Sequence, residues 1–414
     1  MKFNKWTMGL AALGVVSLAS VAKAEEKASS VMTALSATTL SGYVDTSAQW
    51  NVGTGQRLPE YKFGGPSKAD GFNLDVIQLR IEKPLDEAEW AAGYRVDLWA
   101  GPDANVLGTQ SIFSSNGNGK AATGDFAVRQ AYVALRAPVG NGLDFKVGVF
   151  DSIIGYESVE SGNNPNYTRS YGHSIEPQTH TGVLASYRFS DMLSATFGVA
   201  DTIGPSINER AQGPNGGTVA GLANWTKAES YKTYMGSIAV TAPESMGFLS
   251  GSTLYGGIVN GFSDSYGDGQ TSYYVGSTVA TPVTGLRCGA SFDYLDIHNI
   301  SGETWSVAGY ASYQATEKLS LHLRGEYLKD RGEQKFFTTD FTDPLASTNP
   351  NKVLAVTATA QYDLWKNVIS RVEFRWDHSL SGQATWGVDN TTSASDPGTL
   401  KNQYMLAANI IYKF

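Results

Sequence analysis

The last dozen residues constrain the chain most. Tyr404, Leu406, Ala408, Ile410, Tyr412 and Phe414 share one parity, and Gln403, Met405, Ala407, Asn409, Ile411 and Lys413 the other. Side chains of a strand alternate between faces, so this period of two predicts a strand with one face fit for hydrocarbon. The first such segment mirrors it: Leu40, Gly42, Val44, Thr46, Ala48 and Trp50 alternate with Ser41, Tyr43, Asp45, Ser47 and Gln49. Two terminal strands that pair with each other close a sheet and leave no exposed edge.

Between them, period-two segments recur at 72–84, 90–100, 126–137, 143–150, 179–189, 193–201, 231–242, 252–261, 271–281, 286–296, 304–315, 319–329, 352–364 and 368–378. With 38–50 and 402–414 the count is 16, and a slip of one hairpin either way leaves 14 to 18 open. Short connections rich in Pro, Gly and Asp take turns with long ones, as tight periplasmic turns alternate with long outer loops. No apolar run after the first 24 residues reaches the length a spanning helix needs. A chain that crosses a membrane without such helices must do so as a closed barrel, where every backbone N–H and C=O is paired. The fold class predicted is therefore all-β, a transmembrane antiparallel β-barrel spanning 38–414. A soluble sandwich or β-helix would not explain the alternation of loop lengths.

Residues 1–24 read as a cleaved signal peptide: Lys2 and Lys5, an apolar stretch from Trp6 to about Val21, and Ala22-Lys23-Ala24 as the cleavage site. Residues 25–37 then form a short periplasmic segment. Removing Lys2, Lys5 and Lys23 from 31 basic residues leaves 28 against 39 acidic ones, a formal charge of −11, which disfavours a nucleic-acid partner. Cys288 is the only cysteine, so no intramolecular disulfide forms. The five histidines are not spaced as metal pairs, and neither a cofactor nor a metal is expected. Asp264, Asp268 and Gly269 fall short of a calcium-loop pattern. Gly172-His173-Ser174-Ile175-Glu176 holds nucleophile, base and acid types side by side, but the members of a triad meet in space and not in one loop. No enzyme is expected.

With apolar residues facing lipid, the opposite parity faces the lumen: Gln78, Arg80 and Glu82; Arg95, Asp97 and Trp99; Arg287, Ser291 and Asp293; His322, Arg324 and Glu326; Arg371, Glu373, Arg375 and Asp377. Charges at membrane depth require water or partners, so these imply a hydrated lumen. The pairs Arg80/Glu82, Arg324/Glu326 and Arg371/Glu373 are candidates for ion pairs bracing the wall. Arg80 and Arg95 are expected roughly opposite each other, and Arg324 and Arg375 one strand apart across the fourteenth. The third long loop, 151–178, carries Asp151, Glu157, Glu160, Arg169 and Glu176 and is the candidate constriction.

The central block resembles the OmpL-like outer-membrane β-barrel porin family through "VRQAYVAL" (128–135), "KVGVFDSIIGYES" (146–158), "NYTRSY" (166–171) and "HTGVLASYRF" (180–189), with "LSGYVDTSAQWN" (40–51) in agreement. The resemblance implies a multi-pass porin barrel in the cell outer membrane, in contact with its lipids, and it brings no substrate; the polar lumen is what points to a passive channel for small hydrophilic solutes or ions. Tyr412 and terminal Phe414 resemble the C-terminal signal that the barrel assembly machinery reads. A homo-oligomer is compatible with this class. The alternatives are a structural or adhesive barrel whose outer loops bind a partner, and an outer-membrane enzyme.

Overall fold

The computed structural model describes residues 37–53, 61–65, 68–109, 124–210, 231–263, 268–298, 303–330, 352–381, 386 and 400–414. The expected signal peptide, nearly all of the 25–37 segment and Asp264 lie outside the described residues. Sixteen strands follow one another: β1 (Thr39–Asn51), β2 (Gly71–Lys83), β3 (Ala92–Ala100), β4 (Phe126–Ala137), β5 (Leu143–Asp151), β6 (Thr179–Arg188), β7 (Leu193–Ala200), β8 (Thr233–Thr241), β9 (Thr253–Ser263), β10 (Asp268–Ala280), β11 (Leu286–Ile297), β12 (Thr304–Gln314), β13 (Leu319–Lys329), β14 (Lys352–Trp365), β15 (Val368–Ser379) and β16 (Asn402–Lys413). Each lies where the alternation predicts it, with ends displaced by a few residues.

Every strand pairs antiparallel with its sequence neighbours, and β1 closes on β16. At the seam Val44 faces Tyr412, and Phe414 exchanges two backbone hydrogen bonds of 3.0 Å with Gly42. A Cβ at Gly42 would collide with the Phe414 ring and the Gln78 carbonyl, so glycine is required there. Closure leaves no unpaired ladder in lipid, where each orphaned group costs several kcal/mol.

The two faces sort as the parity requires. On β13, Leu321 and Leu323 are exposed outward while His322, Arg324 and Glu326 are buried inward. Tyr412 and Phe414 are about half exposed on the lipid face. Aromatic rings gather near the outer ends of strands, as in Phe292, Trp305 and Tyr327, and again near the tight turns, as in Tyr187 and Phe189. These are the two interfacial girdles of such barrels.

Bulges interrupt the alternation inside the wall. The β1–β2 register slips between Asp45 and Thr46, leaving Asp75 as the extra residue, and the β3–β4 register slips between Asp97 and Leu98, leaving Arg129 extra. A bulge re-aims the side chains around it. Here Asp75 with Val76, and Arg129 with Gln130, are consecutive residues that are all buried.

The candidate pore and the loop that crosses it

Loop 152–178, between β5 and β6, folds into the barrel instead of over its rim. Its first limb packs apolar side chains, Ile153 and Ile154, against Leu184, Met235, Tyr255 and Val259 of the β6–β9 wall. Tyr156 stacks on Tyr310 of β12 with ring centroids 4.0 Å apart. The loop then descends, and Lys413 Nζ donates to the Gly162 carbonyl at 3.0 Å. β16 runs from the outer end to the tight-turn end, so this contact carries the loop deep toward the periplasmic side. The returning limb includes a short helix, α1 (Tyr171–Ile175), capped by Ser170, whose Oγ accepts from the His173 backbone N–H.

Glu160 sits against one wall. It contacts Arg80 of β2, Arg95 of β3 and the bulge residue Arg129 of β4, the last two at 3.3 Å. The same arginines share Asp97, at 2.8, 2.7 and 2.8 Å respectively. Burial alone would raise the Glu160 carboxyl, but Arg129, Arg80 and Arg95 outweigh it and hold it below the ordinary glutamate value. Arg129 also reaches Asp151 at 2.6 Å. Nearby, Tyr167 Oη donates to Ser47 at 2.9 Å and accepts from the Gln49 amide at 2.8 Å.

The opposite wall grips the loop's backbone. Arg324 of β13 donates to the Thr168 carbonyl at 2.7 Å and to Arg169 O at 3.2 Å, and pairs with Glu157 at 2.9 Å and Glu326 at 3.0 Å. Arg375 of β15 donates to Arg169 O at 2.7 Å and pairs with Asp377 at 2.9 Å. Arg371 donates to the carbonyls of Asn166 and Ser161 at 3.0 and 3.1 Å. In return, Glu373 accepts the Tyr167 and Thr168 N–H groups at 2.6 and 3.0 Å, and Glu326 accepts Tyr171 N–H at 2.6 Å. Arg169 turns inward on its own loop, donating to Tyr167 O and Val159 O at 2.9 and 2.8 Å.

Glu176 meets Asp293 of β11 in a buried carboxyl pair, with His173 3.6 Å from Glu176. Burial, then the neighbouring Asp293 and Glu157, push Glu176 well above the ordinary glutamate value. His173 is held well below the usual imidazole value by burial and by Arg169, Lys62 and Arg324. Ser174 Oγ donates to Ser170 O and accepts from Lys62 N–H, so its partners are backbone groups.

Several expectations change. Asp151 ends β5 and is not part of the loop. Arg80 lies across from Asp97, and Arg95 from Glu82; the two arginines meet diagonally through Asp97 and Glu160. Arg80/Glu82 and Arg371/Glu373 form no ion pairs among the described residues, because each arginine has a better placed partner in Asp97, Glu160 or the loop. Arg324 and Glu326 do pair, and Arg324, Thr357 and Arg375 stand in register across β14. His322 is buried against Ser312, Nδ1 to Oγ 2.8 Å, and Arg287 donates to Gly251 O near the periplasmic end. Arg129 and Asp75 escape a reading by parity because bulges place them. Lys146 was legible: Asp144, Lys146 and Gly148 share one parity of β5 against Phe145, Val147 and Val149.

A cavity of about 420 Å³ remains along the inner wall of β3–β7. Its periplasmic rim carries Glu82, Lys83 and Glu87; its sides carry Arg95, Tyr132, Arg136, Asp144 and Lys146; Asp151, Ile153, Leu184 and Tyr255 line it further in. Among the described residues no group of three or more His, Cys, Asp or Glu side chains is arranged to hold a metal ion.

Among solved structures the chain is similar to the outer-membrane channel DcaP of Acinetobacter baumannii, at 12% identity and TM-score 0.55 over 91% of this chain and 97% of that one. It is similar to OmpF of Salmonella typhi, in complex with daunomycin, at 14% and 0.56 over 91% and 97%. An anion-selective porin from Comamonas acidovorans matches at 12% and 0.52 over 91% and 99%. At these identities the likeness is one of fold. Among curated proteins nothing matches. Residues 37–414 match the family described as "Putative beta-barrel porin-2, OmpL-like", and since this is nine-tenths of the sequence, the chain belongs to that family of outer-membrane porins.

Proposed function

We propose that this porin is a narrow diffusion channel for small hydrophilic solutes or ions, with its path along the inner wall of β3–β7 and not through the barrel's centre. One observation carries the reading. The loop 152–178 is strapped across the lumen to β12–β16 by buried charged hydrogen bonds, whereas the wall of β3–β7 keeps a cavity with charged and polar sides. A loop held by several charge-assisted bonds stays in the lumen and sets its cross-section. Arg95 then forms a charged edge of that path, while Arg80 and Arg129 hold Glu160 of the loop against the same wall, with Asp97 behind them. Arg324, Arg371, Arg375, Glu326 and Glu373 act as fasteners. His322 and Arg287 lie on the inner wall outside the loop's attachments, and Asp293 meets the loop at Glu176.

The paired and exposed Phe414 fits a role in delivery to the assembly machinery, and the OmpT of Vibrio cholerae, a fold relative seen in a trimer form, makes a homo-oligomer the natural assembly to test. Planar-bilayer recording of purified protein tests the channel. Small, stepwise, ohmic conductances support it; folded, heat-modifiable protein that never conducts would favour an adhesive barrel.

A further inference from the structure

Lys146 is a charge on the cavity's side that has no ion pair within 4.0 Å among the described residues; Asp151, Glu82 and Asp144 act on it only from farther off. It lies on β5, four residues in from the tight turn, facing Ala134 of β4 and Leu184 of β6 in the ladder. Its Nζ sits over the Tyr132 ring, 5.0 Å from the centroid. Among the described residues no carboxylate lies within 4.0 Å of that ammonium, and its only close polar contact is the ring face. The carboxylates beside it are engaged elsewhere: Asp144 by Arg136 at 3.2 Å and Asp151 by Arg129 at 2.6 Å. Glu82 and Glu87 stand at the periplasmic rim.

The backbone opens this spot. Gly148, with φ 134, faces Tyr132 across the β4–β5 ladder, so no side chain from that position covers the ring. The result is a half-buried cation over an aromatic ring that lines the cavity together with the apolar side chain of Leu184, in a space far larger than a monatomic ion needs. A half-buried cation without a partner is costly, and an anion entering from the periplasmic mouth would relieve that cost.

The geometry points to a binding station for small organic carboxylates, the carboxylate on Lys146 and the apolar body of the solute on Tyr132 and Leu184. This deepens the channel reading by naming a solute class, and it rests on that reading for its physiological meaning. The binding itself does not depend on conduction.

Sodium benzoate titrated into the detergent-solubilised, folded barrel at low ionic strength tests it. Lys146→Gln should weaken benzoate by about tenfold or more, the loss of one charge-assisted contact, while Lys146→Arg should bind within about threefold of the unaltered protein. Lys83→Gln, at the rim, should leave the affinity within about twofold. Unchanged mobility of unboiled samples shows that each variant is folded. Benzoate binding equal in Lys146→Gln, benzylamine binding better than benzoate, or inorganic phosphate binding as well as benzoate would each overturn the assignment. Because calorimetry needs no current, a barrel that binds benzoate at Lys146 but never conducts would sink the channel reading and leave the station standing.

Discussion

Two sides of one lumen use the same chemistry in opposite ways. On the β12–β16 side, Arg324, Arg371 and Arg375 are almost fully buried, and their guanidinium groups are spent on loop carbonyls, Glu157, Glu326 and Asp377. On the β3–β7 side, Arg95 and Arg129 also hold the loop through Glu160, but nearer the periplasm Lys146 has only a ring face close by and Arg136 a partly exposed carboxylate, and both border a cavity. All these cations point inward from strands of a single barrel. An inward-pointing charge is therefore not by itself a pore charge: its N–H groups either serve the loop or serve what passes. The planar five-donor fork of arginine suits the first task, and the compact ammonium of lysine suits the second.

The sharpest way to break that comparison is Arg324→Met. The substitution takes the closest guanidinium from buried Glu157 and Glu326 and removes the donor to Thr168 O and one of the two donors to Arg169 O. Removing one partner of a buried ion pair costs about 3–5 kcal/mol, here charged to the loop's attachment and not to the strand ladders. The loop should become open to protease and the conductance should rise, while heat-modifiable mobility persists. Lys146→Met should do neither. If both variants release the loop alike, the two sides of the lumen are not functionally distinct.

Parity alone reveals the strands, their lipid faces, the inward set on β13 and β15, and the register that puts Arg324 and Arg375 on either side of Thr357. Two physical facts hide the rest. A bulge breaks the period of two, so Arg129 and Asp75 cannot be placed from alternation. And the choice of partner is tertiary: Arg371 and Glu373 are two apart on one face, as a wall pair would be, yet each finds a loop backbone group of complementary sign that no spacing in the sequence records.

Glu373→Gln tests a smaller piece of the strapped side. The carboxylate takes Tyr167 N–H and Thr168 N–H on its two oxygens and also Thr359 Oγ1–H at 2.7 Å. A Gln amide has one acceptor oxygen, so one loop N–H would face an NH₂ group. Loss of a charged, buried hydrogen bond costs about 1.5–3 kcal/mol. The expected readout is greater current noise at unchanged mean barrel stability. A quiet channel with wild-type protease resistance would remove Glu373 from the fasteners.

Proton concentration separates the loop's two limbs. Glu160 is held below its ordinary value, so its contribution is present above the usual carboxylate range and is lost as pH falls through its depressed value. Glu176 is pushed up by burial, Asp293 and Glu157, with His173 beside it, so its contribution is complete in acid and is lost as pH rises from the ordinary glutamate value through its raised one. Protease accessibility should therefore rise in acid near the tip at 160–163 and toward neutral pH near 173–176. Glu176→Gln should abolish the second effect and spare the first. Accessibility that changes in the same direction at both places would show that the limbs do not titrate independently.

The smallest effect is expected at the periplasmic mouth of the open side. Arg188 and Asp191 pair at 2.6 Å, but their side chains are 53% and 92% exposed. Water competes for both, and ordering two mobile side chains costs entropy, so such a pair contributes within about 0.5 kcal/mol. Arg188→Ala should leave thermal stability unchanged within that margin. Its charge still stands at the rim of the cavity that holds Lys146, and at low salt an uncompensated Asp191 would repel anions entering there. At physiological ionic strength the Debye length falls to about 8 Å and the repulsion fades. The reversal potential of Arg188→Ala should thus shift toward cations in dilute salt and return to the wild-type value in concentrated salt. A shift that survives high salt would mean that Arg188 touches the permeating ion directly, and the mouth of the path along β3–β7 would then be part of its selectivity region.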